Sequence, residues 1–181
     1  MGYFHTRGLR GSALEELINI TNTEYLKHTL AAVQKVPTPI TPTEIDKSRG
    51  VITLAYFDKK STVDYIGNVQ GIPVCFDAKE TSLKSLPIQN IPPHQMEFME
   101  SFTAQGGIAF LIVYFSAYDE YYLVDFDTIK SYYANSRNGD RKSIPYGSVN
   151  KNYKIERKES FLLHYLEALD KYIQDTAEES I

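Results

Sequence analysis

The sequence predicts an α/β fold, a mixed central β-sheet flanked by helices with a protruding extended stalk, and three observations predict it. The run from Ile108 to Phe115 is apolar throughout, as a strand buried on both faces must be. Segments with apolar residues at helical spacing lie before and after that run, so helices can cover both sides of the sheet. Between the first helix and the next strands the chain carries Pro37, Pro39 and Pro42, which leave the regular pattern and send an extended excursion outward. A length of 181 residues fits one domain over 1–181, with a stalk-like insertion at about 37–60.

From Ser12 to about His28, Leu14, Leu17, Ile18, Tyr25 and Leu26 recur at helical spacing, and Ser12 to Glu15 forms an S-x-x-E capping box. In that reading Glu15 serves its own helix. Leu30 to Val36 reads as a short strand. Pro37 to Lys60 follows as the excursion, β-prone from Val51 to Phe57, with Lys47, Arg49, Lys59 and Lys60 as its basic side chains. Thr62–Ile66 and Ile72–Lys79 form an antiparallel pair across Gly67-Asn68-Val69-Gln70-Gly71, which has turn chemistry. Cys75, inside the second of these strands, is expected as a small buried hydrophobe. Pro87, Pro92 and Pro93 lead into a helix from about His94 to Ala104, stopped by Gly106-Gly107. Strands Ile108–Phe115 and Glu120–Asp125 come next, then helices at about Asp127–Ala134 and Ser160–Thr176, with Asn135–Lys154 as a basic loop between them.

Hydrophobic residues make up 43% of the chain and charged residues 23%, the composition of a folded globular protein. The longest apolar run, Gly107–Phe115, is about half of what a bilayer crossing needs, and no charged-then-apolar leader opens the sequence, so the expectation is a cytoplasmic protein with no membrane partner. One cysteine permits no internal disulfide, and four scattered histidines do not make a histidine metal site. The net charge of −4 hides a segregated distribution. Residues 61–129 carry nine acidic groups against two basic, whereas residues 130–158 carry eight basic against two acidic. A basic surface for phosphates beside an acidic cluster that would repel them points to nucleic acid and a cation together.

The chemistry concentrates in Asp64 and, thirteen residues later, Asp77-Ala78-Lys79. On a strand, residues 77 and 79 share a face, and the hairpin partner can bring Asp64 alongside. Two carboxylates about 4 Å apart repel by about 4 kcal/mol at an effective dielectric near 20, so they share a proton or hold a divalent cation. Oxygen ligands suit magnesium. Lys79 would then orient the attacking water, and Gln95, at the start of the following helix, can reach the same face. The implied reaction is phosphodiester hydrolysis. On spacing alone, Asp77 and Lys79 read equally as a structural ion pair.

Thr62-Val63-Asp64-Tyr65, Phe76-Asp77-Ala78-Lys79-Glu80-Thr81, His94-Gln95, Tyr118-Asp119-Glu120 and Arg141-Lys142-Ser143-Ile144-Pro145 together resemble the RecU family of Holliday-junction resolvases, within the PD-(D/E)XK nuclease superfamily. The resemblance extends upstream to Arg10-Gly11 with Leu14-Glu15, and to Lys35 with Pro37-Thr38-Pro39. It implies a homodimer that binds branched DNA, especially four-way junctions, and nicks two strands symmetrically with magnesium or manganese, in company with recombination proteins. Carried over residue by residue, Asp64, Asp77 and the Ala78 backbone carbonyl would hold the metal, with Glu15 as a further acidic member. Lys79 would position the water, with Gln95 beside it. The DNA contacts would fall to Arg10, Lys35, Lys47, Arg49, Lys59, Lys60, Arg137, Arg141 and Lys142, and the excursion would enter the junction. Family members usually carry Glu where this chain has the shorter Asp77. Two alternatives stay open: another PD-(D/E)XK endonuclease acting on duplex, and a catalytically silent junction-binding protein.

Overall fold

The structure is a computed structural model that describes residues 10–57, 62–158 and 160–178, the side chains of residues 10–12 excepted. Its elements are α1 (Arg10–Lys27), β1 (Ala32–Lys35), β2 (Ile40–Asp46), β3 (Val51–Phe57), β4 (Tyr65–Val69), β5 (Ile72–Thr81), β6 (Ser85–Pro87), α2 (Pro93–Ala104), β7 (Ile108–Phe115), β8 (Glu120–Asp125), α3 (Phe126–Arg137), β9 (Ser143–Pro145), β10 (Lys154–Ile155) and α4 (Tyr165–Glu178). Six strands form one sheet in the order β1-β4-β5-β7-β8-β10. The β5–β7 pair is parallel and its neighbours are antiparallel, so the sheet is mixed, as expected.

Alternation along β5 and β7 divides the core into two layers. Val74, Phe76, Phe110 and Ile112 pack with Leu14 and Ile18 of α1 and Tyr165 and Leu169 of α4. Cys75, Leu111 and Val113 pack on the opposite face with Met96 and Met99 of α2 and Phe126 and Ile129 of α3. Asp77 and Lys79 share the parity of Cys75, so they project on the α2 side. Cys75 is buried, as its apolar surroundings foretold.

The hairpin of β4 and β5 turns through Gln70 and Gly71 alone, both at positive φ (50° and 95°), as a tight two-residue hairpin turn requires. The sequence reading spread the turn over Gly67–Gly71, and the structure narrows it to the last two of those residues. Gly67 instead lies inside β4, where a Cβ would stand 2.4 Å from the Ala32 carbonyl oxygen; its missing side chain admits β1 rather than a turn. β2 and β3 form a separate two-stranded ribbon whose side chains are mostly exposed, including Ile45, Ile52, Leu54, Tyr56 and Phe57.

Other expectations change in detail. The first helix already includes Arg10, so Ser12 lies inside it rather than at the cap, and the capping-box reading of Glu15 falls. The strand expected over Leu30–Val36 shortens to β1. The third helix starts at Phe126, capped by Asp125, whose carboxylate accepts the Thr128 amide and hydroxyl, both at 2.8 Å. The expected loop over Asn135–Lys154 contains the end of α3, β9 and two 3₁₀ turns; β9 pairs with β6, a strand of three residues. The last helix begins at Tyr165 rather than Ser160, because the preceding backbone is spent on other segments: Leu163 N–H donates to Thr21 Oγ1 (3.1 Å) and His164 N–H to the Glu156 carbonyl (3.0 Å).

Candidate active site

Asp64 sits one residue before β4, and Asp77 and Lys79 stand on β5 where β4 no longer covers it, because Tyr65 pairs with Phe76. The two acidic residues clasp each other through the main chain. The Asp64 amide donates to Asp77 Oδ1 at 2.9 Å, and the Ala78 amide donates to Asp64 Oδ2 at 3.2 Å. In an extended strand the N–H and C=O of one residue point to the same edge, so the Ala78 carbonyl also faces the Asp64 side. The Asp64 carbonyl accepts the Val36 amide at 2.8 Å, which fastens the segment after β1 to the same corner.

Asp77 is fully buried, and its second oxygen, Oδ2, makes no hydrogen bond; it is ion-paired with Lys79. The Lys79 ammonium donates to Gln95 Oε1 at 3.1 Å. Gln95 is placed by the first turn of α2, where Pro93 occupies a position that needs no amide donor. A buried anionic oxygen with unused lone pairs, oxygen donors only and a second carboxyl beside it suit a hard divalent cation.

Burial first, then the hydrogen bond to Asp77 and that residue's negative charge, push the Asp64 carboxyl up to about 7, against the opposing Ala78 amide and Lys79 ammonium. The folded state therefore holds a proton that the unfolded chain has released by pH 5. With the folded pKa raised, stability falls as pH climbs from about 4 to about 7. In chelator, the thermal midpoint should drop from pH 5 to pH 8, and Asp64→Asn should flatten that slope; an equal slope in the variant would show that other groups set it.

Glu15 is ion-paired with Lys35. Among the described residues no group of three His, Cys, Asp or Glu side chains converges as a metal site. Sequence reading missed the Tyr65 hydroxyl, which donates to the Glu15 carbonyl (3.2 Å) and to Asn19 Oδ1 (3.1 Å) and so ties α1 to the Asp64 corner. The available signal was a tyrosine, rather than a phenylalanine, at a buried strand position. Burial and the charges of Glu15, Asp64 and Asp77 hold that hydroxyl far above the ordinary range.

The expected DNA contacts lie on several elements. Lys47 and Arg49 are exposed at the tip of the β2–β3 ribbon, and Arg141 and Lys142 are exposed before β9. Arg137 lies over the Tyr133 ring at the end of α3. Lys59, Lys60 and the Arg10 side chain fall outside the described residues. The basic stretch is more compensated than its sequence suggests, since Lys154 pairs with Glu120 and Lys158 with Glu167.

The chain matches the family model "Recombination protein U", RecU, over residues 9–171. It belongs to the RecU family. The resemblance read from the motifs is thereby borne out. A relative from Bacillus mycoides named Holliday junction resolvase RecU is 44% identical over 144 residues, 77% of this chain and 72% of the relative. One of the same name from Staphylococcus aureus is 38% identical over 179 residues, 96% of this chain and 86% of the relative. A solved structure of Hjc, a Holliday junction resolvase from Archaeoglobus fulgidus, aligns at TM-score 0.41 and 11% identity over 66% of this chain and 75% of that one, too slight a likeness to argue from.

Proposed function

We propose that this RecU-family chain is a metal-dependent, structure-specific DNA endonuclease that resolves four-way junctions by paired symmetric nicks, as a homodimer, in cytoplasmic DNA recombination and repair. The observation that carries the hydrolytic part is the buried Asp77 Oδ2, ion-paired with Lys79 but without a hydrogen bond, beside the raised Asp64 carboxyl. The junction as substrate rests on the names of the relatives.

Asp64, Asp77 and the Ala78 carbonyl would hold magnesium or manganese, which supplies positive charge for the scissile phosphate and lowers the pKa of a bound water. Asp64 gives up its proton as the site fills. Lys79, held by Asp77 and Gln95, has one ammonium direction left toward the water and orients it. Glu15 joins the site by exchanging its ion pair with Lys35, which frees the Lys35 ammonium for a phosphate. The ribbon of β2 and β3 is the stalk that enters the junction, with Lys47 and Arg49 at its tip. Arg10, Lys59, Lys60, Arg137, Arg141 and Lys142 contact the backbone of branched DNA, so shape rather than base sequence is the first thing read. Recombination proteins would deliver the substrate.

The test is cleavage of a labelled four-way junction against a matched linear duplex in magnesium, manganese or chelator. Paired nicks on the junction alone, dependent on metal, are expected. Equal cutting of duplex would make the chain a duplex endonuclease, and junction binding without cutting under any metal would make it a binding protein.

A further inference from the structure

Tyr118, in the turn between β7 and β8, stacks on Tyr146 with ring centroids 3.8 Å apart and planes at 13°. The ring beneath is immobilised. The Tyr146 hydroxyl donates to Glu120 Oε2 at 2.6 Å; that carboxylate also accepts the Tyr122 hydroxyl (2.7 Å) and the Lys154 ammonium (2.9 Å). The Lys151 ammonium lies 3.1 Å from the Tyr146 ring centroid and 4.4 Å from that of Tyr122, and donates to the Tyr146 carbonyl at 2.8 Å. Yet Tyr118 itself, at the outer end of this stack, is 38% exposed. A fastening role for the turn explains Tyr146 and leaves the exposed outer ring without a task.

The position of the stack supplies one. Lys79 is in register with Val113, and Val113 with Tyr122, so Lys79 and Tyr122 occupy one row of the sheet and project from the same face. Two strand spacings of about 4.8 Å put them about 10 Å apart. Tyr146 lies 5.8 Å beyond Tyr122, and Tyr118 3.8 Å beyond Tyr146, between ring centroids, so at about 3.4 Å of rise per nucleotide the outer ring is at most about six nucleotides from Lys79. The loops bearing the stack are also bonded to the chain just beyond Lys79: Ser116 N–H donates to the Thr81 carbonyl (3.0 Å) and Tyr146 N–H to the Lys84 carbonyl (3.1 Å). Lys151 supplies positive charge against the Tyr146 and Tyr122 rings, and Lys84, whose carbonyl takes the Tyr146 amide, is exposed.

We infer that Tyr118, braced by Tyr146 and Lys151, is a stacking platform for an unpaired nucleobase of the strand being cut, a few nucleotides from the scissile phosphate. A base splayed from the branch point has a free π-face, and an aromatic surface fixed in advance takes it without ordering cost and without reading its identity. The inference rests on the nuclease reading above and adds to it where the strand is gripped beside the reacting phosphate.

The experiment uses a four-way junction carrying 2-aminopurine at successive positions flanking the crossover, titrated in chelator so that no strand is cut. The parent should quench the probe at one position. Tyr118→Ala should lose that quench and weaken junction binding by about 5- to 150-fold, while Tyr118→Phe keeps both. Tyr118→Leu keeps a cover over Tyr146 without a π-face and should behave as the alanine variant. A leucine variant that quenches and binds like the parent would reduce Tyr118 to a cover and overturn the platform, as would a parent that binds the junction without quenching any position. A parent that does not bind branched DNA would overturn the nuclease reading, and the platform with it.

Discussion

Asp77→Asn should abolish junction cleavage and leave junction binding within a few-fold of the parent. The substitution keeps the shape of a fully buried side chain and removes its charge. Three consequences follow together. The site loses one of its two anionic oxygen donors, Lys79 loses its ion-pair partner, and the Asp64 carboxyl is relieved of the hydrogen bond and charge that raise it. A bound metal is worth several kcal/mol of transition-state stabilisation, so the cleavage rate should fall by about three orders of magnitude or more. The exposed cations at the ribbon tip and before β9 are untouched, which is why binding persists. Single-turnover cleavage and binding in chelator, run on the same protein, read the two effects separately. Loss of both with a lowered thermal midpoint would recast Asp77 as a structural residue, and retained cleavage would remove it from the site.

Phe76→Ala should cost about 3–5 kcal/mol of stability, the largest effect expected from a single core substitution here. Phe76 is fully buried between the rings of Tyr65 and Phe110, each with its centroid 4.8 Å away, and Tyr165 of α4 closes on it at 5.3 Å. Its removal opens a cavity where β4, β5, β7 and α4 meet. Against a total of about 5–15 kcal/mol for a domain, the variant would sit near the edge of folding. Urea unfolding measures it, with Phe76→Leu as the milder control. A loss below about 1 kcal/mol would show that the stack does not carry the core. Since Asp77 follows directly in the chain, Phe76→Ala should lose cleavage and binding in parallel on warming, unlike Asp77→Asn.

The strands Ile108–Phe115 and Glu120–Asp125 were legible to the residue because each apolar run ends at a turn the chain cannot avoid: Gly106, at φ 83°, before the first, and Asp119, at φ 52°, between them. β6, β9 and β10 were not legible. Two or three residues carry no periodicity, and β6 and β9 are held by a pairing sixty residues apart in sequence, Ser85 with Pro145. The start of α4 was misplaced for a related reason: residues 160–164 fit a helical pattern, yet Thr21, far away in sequence, takes the Leu163 amide and Glu156, eight residues back, takes the His164 amide. Within the candidate site, the two-residue alternation put Asp77 and Lys79 on one face, and the hairpin brought Asp64 to them. What spacing could not express is the partner of each oxygen. The Glu15–Lys35 pair spans two elements, and the amides that clasp Asp64 and Asp77 belong to the main chain, which has no sequence signature.

That clasp makes the active site conditional on correct pairing. Each aspartate takes an amide from the other's strand, so the arrangement exists only when Tyr65 faces Phe76. Sliding β4 by a single residue would turn its side chains to the opposite face and break both bonds. A nuclease is dangerous while half folded, and with Asp64 and Asp77 in the metal-binding role proposed for them, a misregistered intermediate would have no pair to act with. On that proposal the chain would become competent only once its central hairpin is complete, a safeguard that needs no inhibitor.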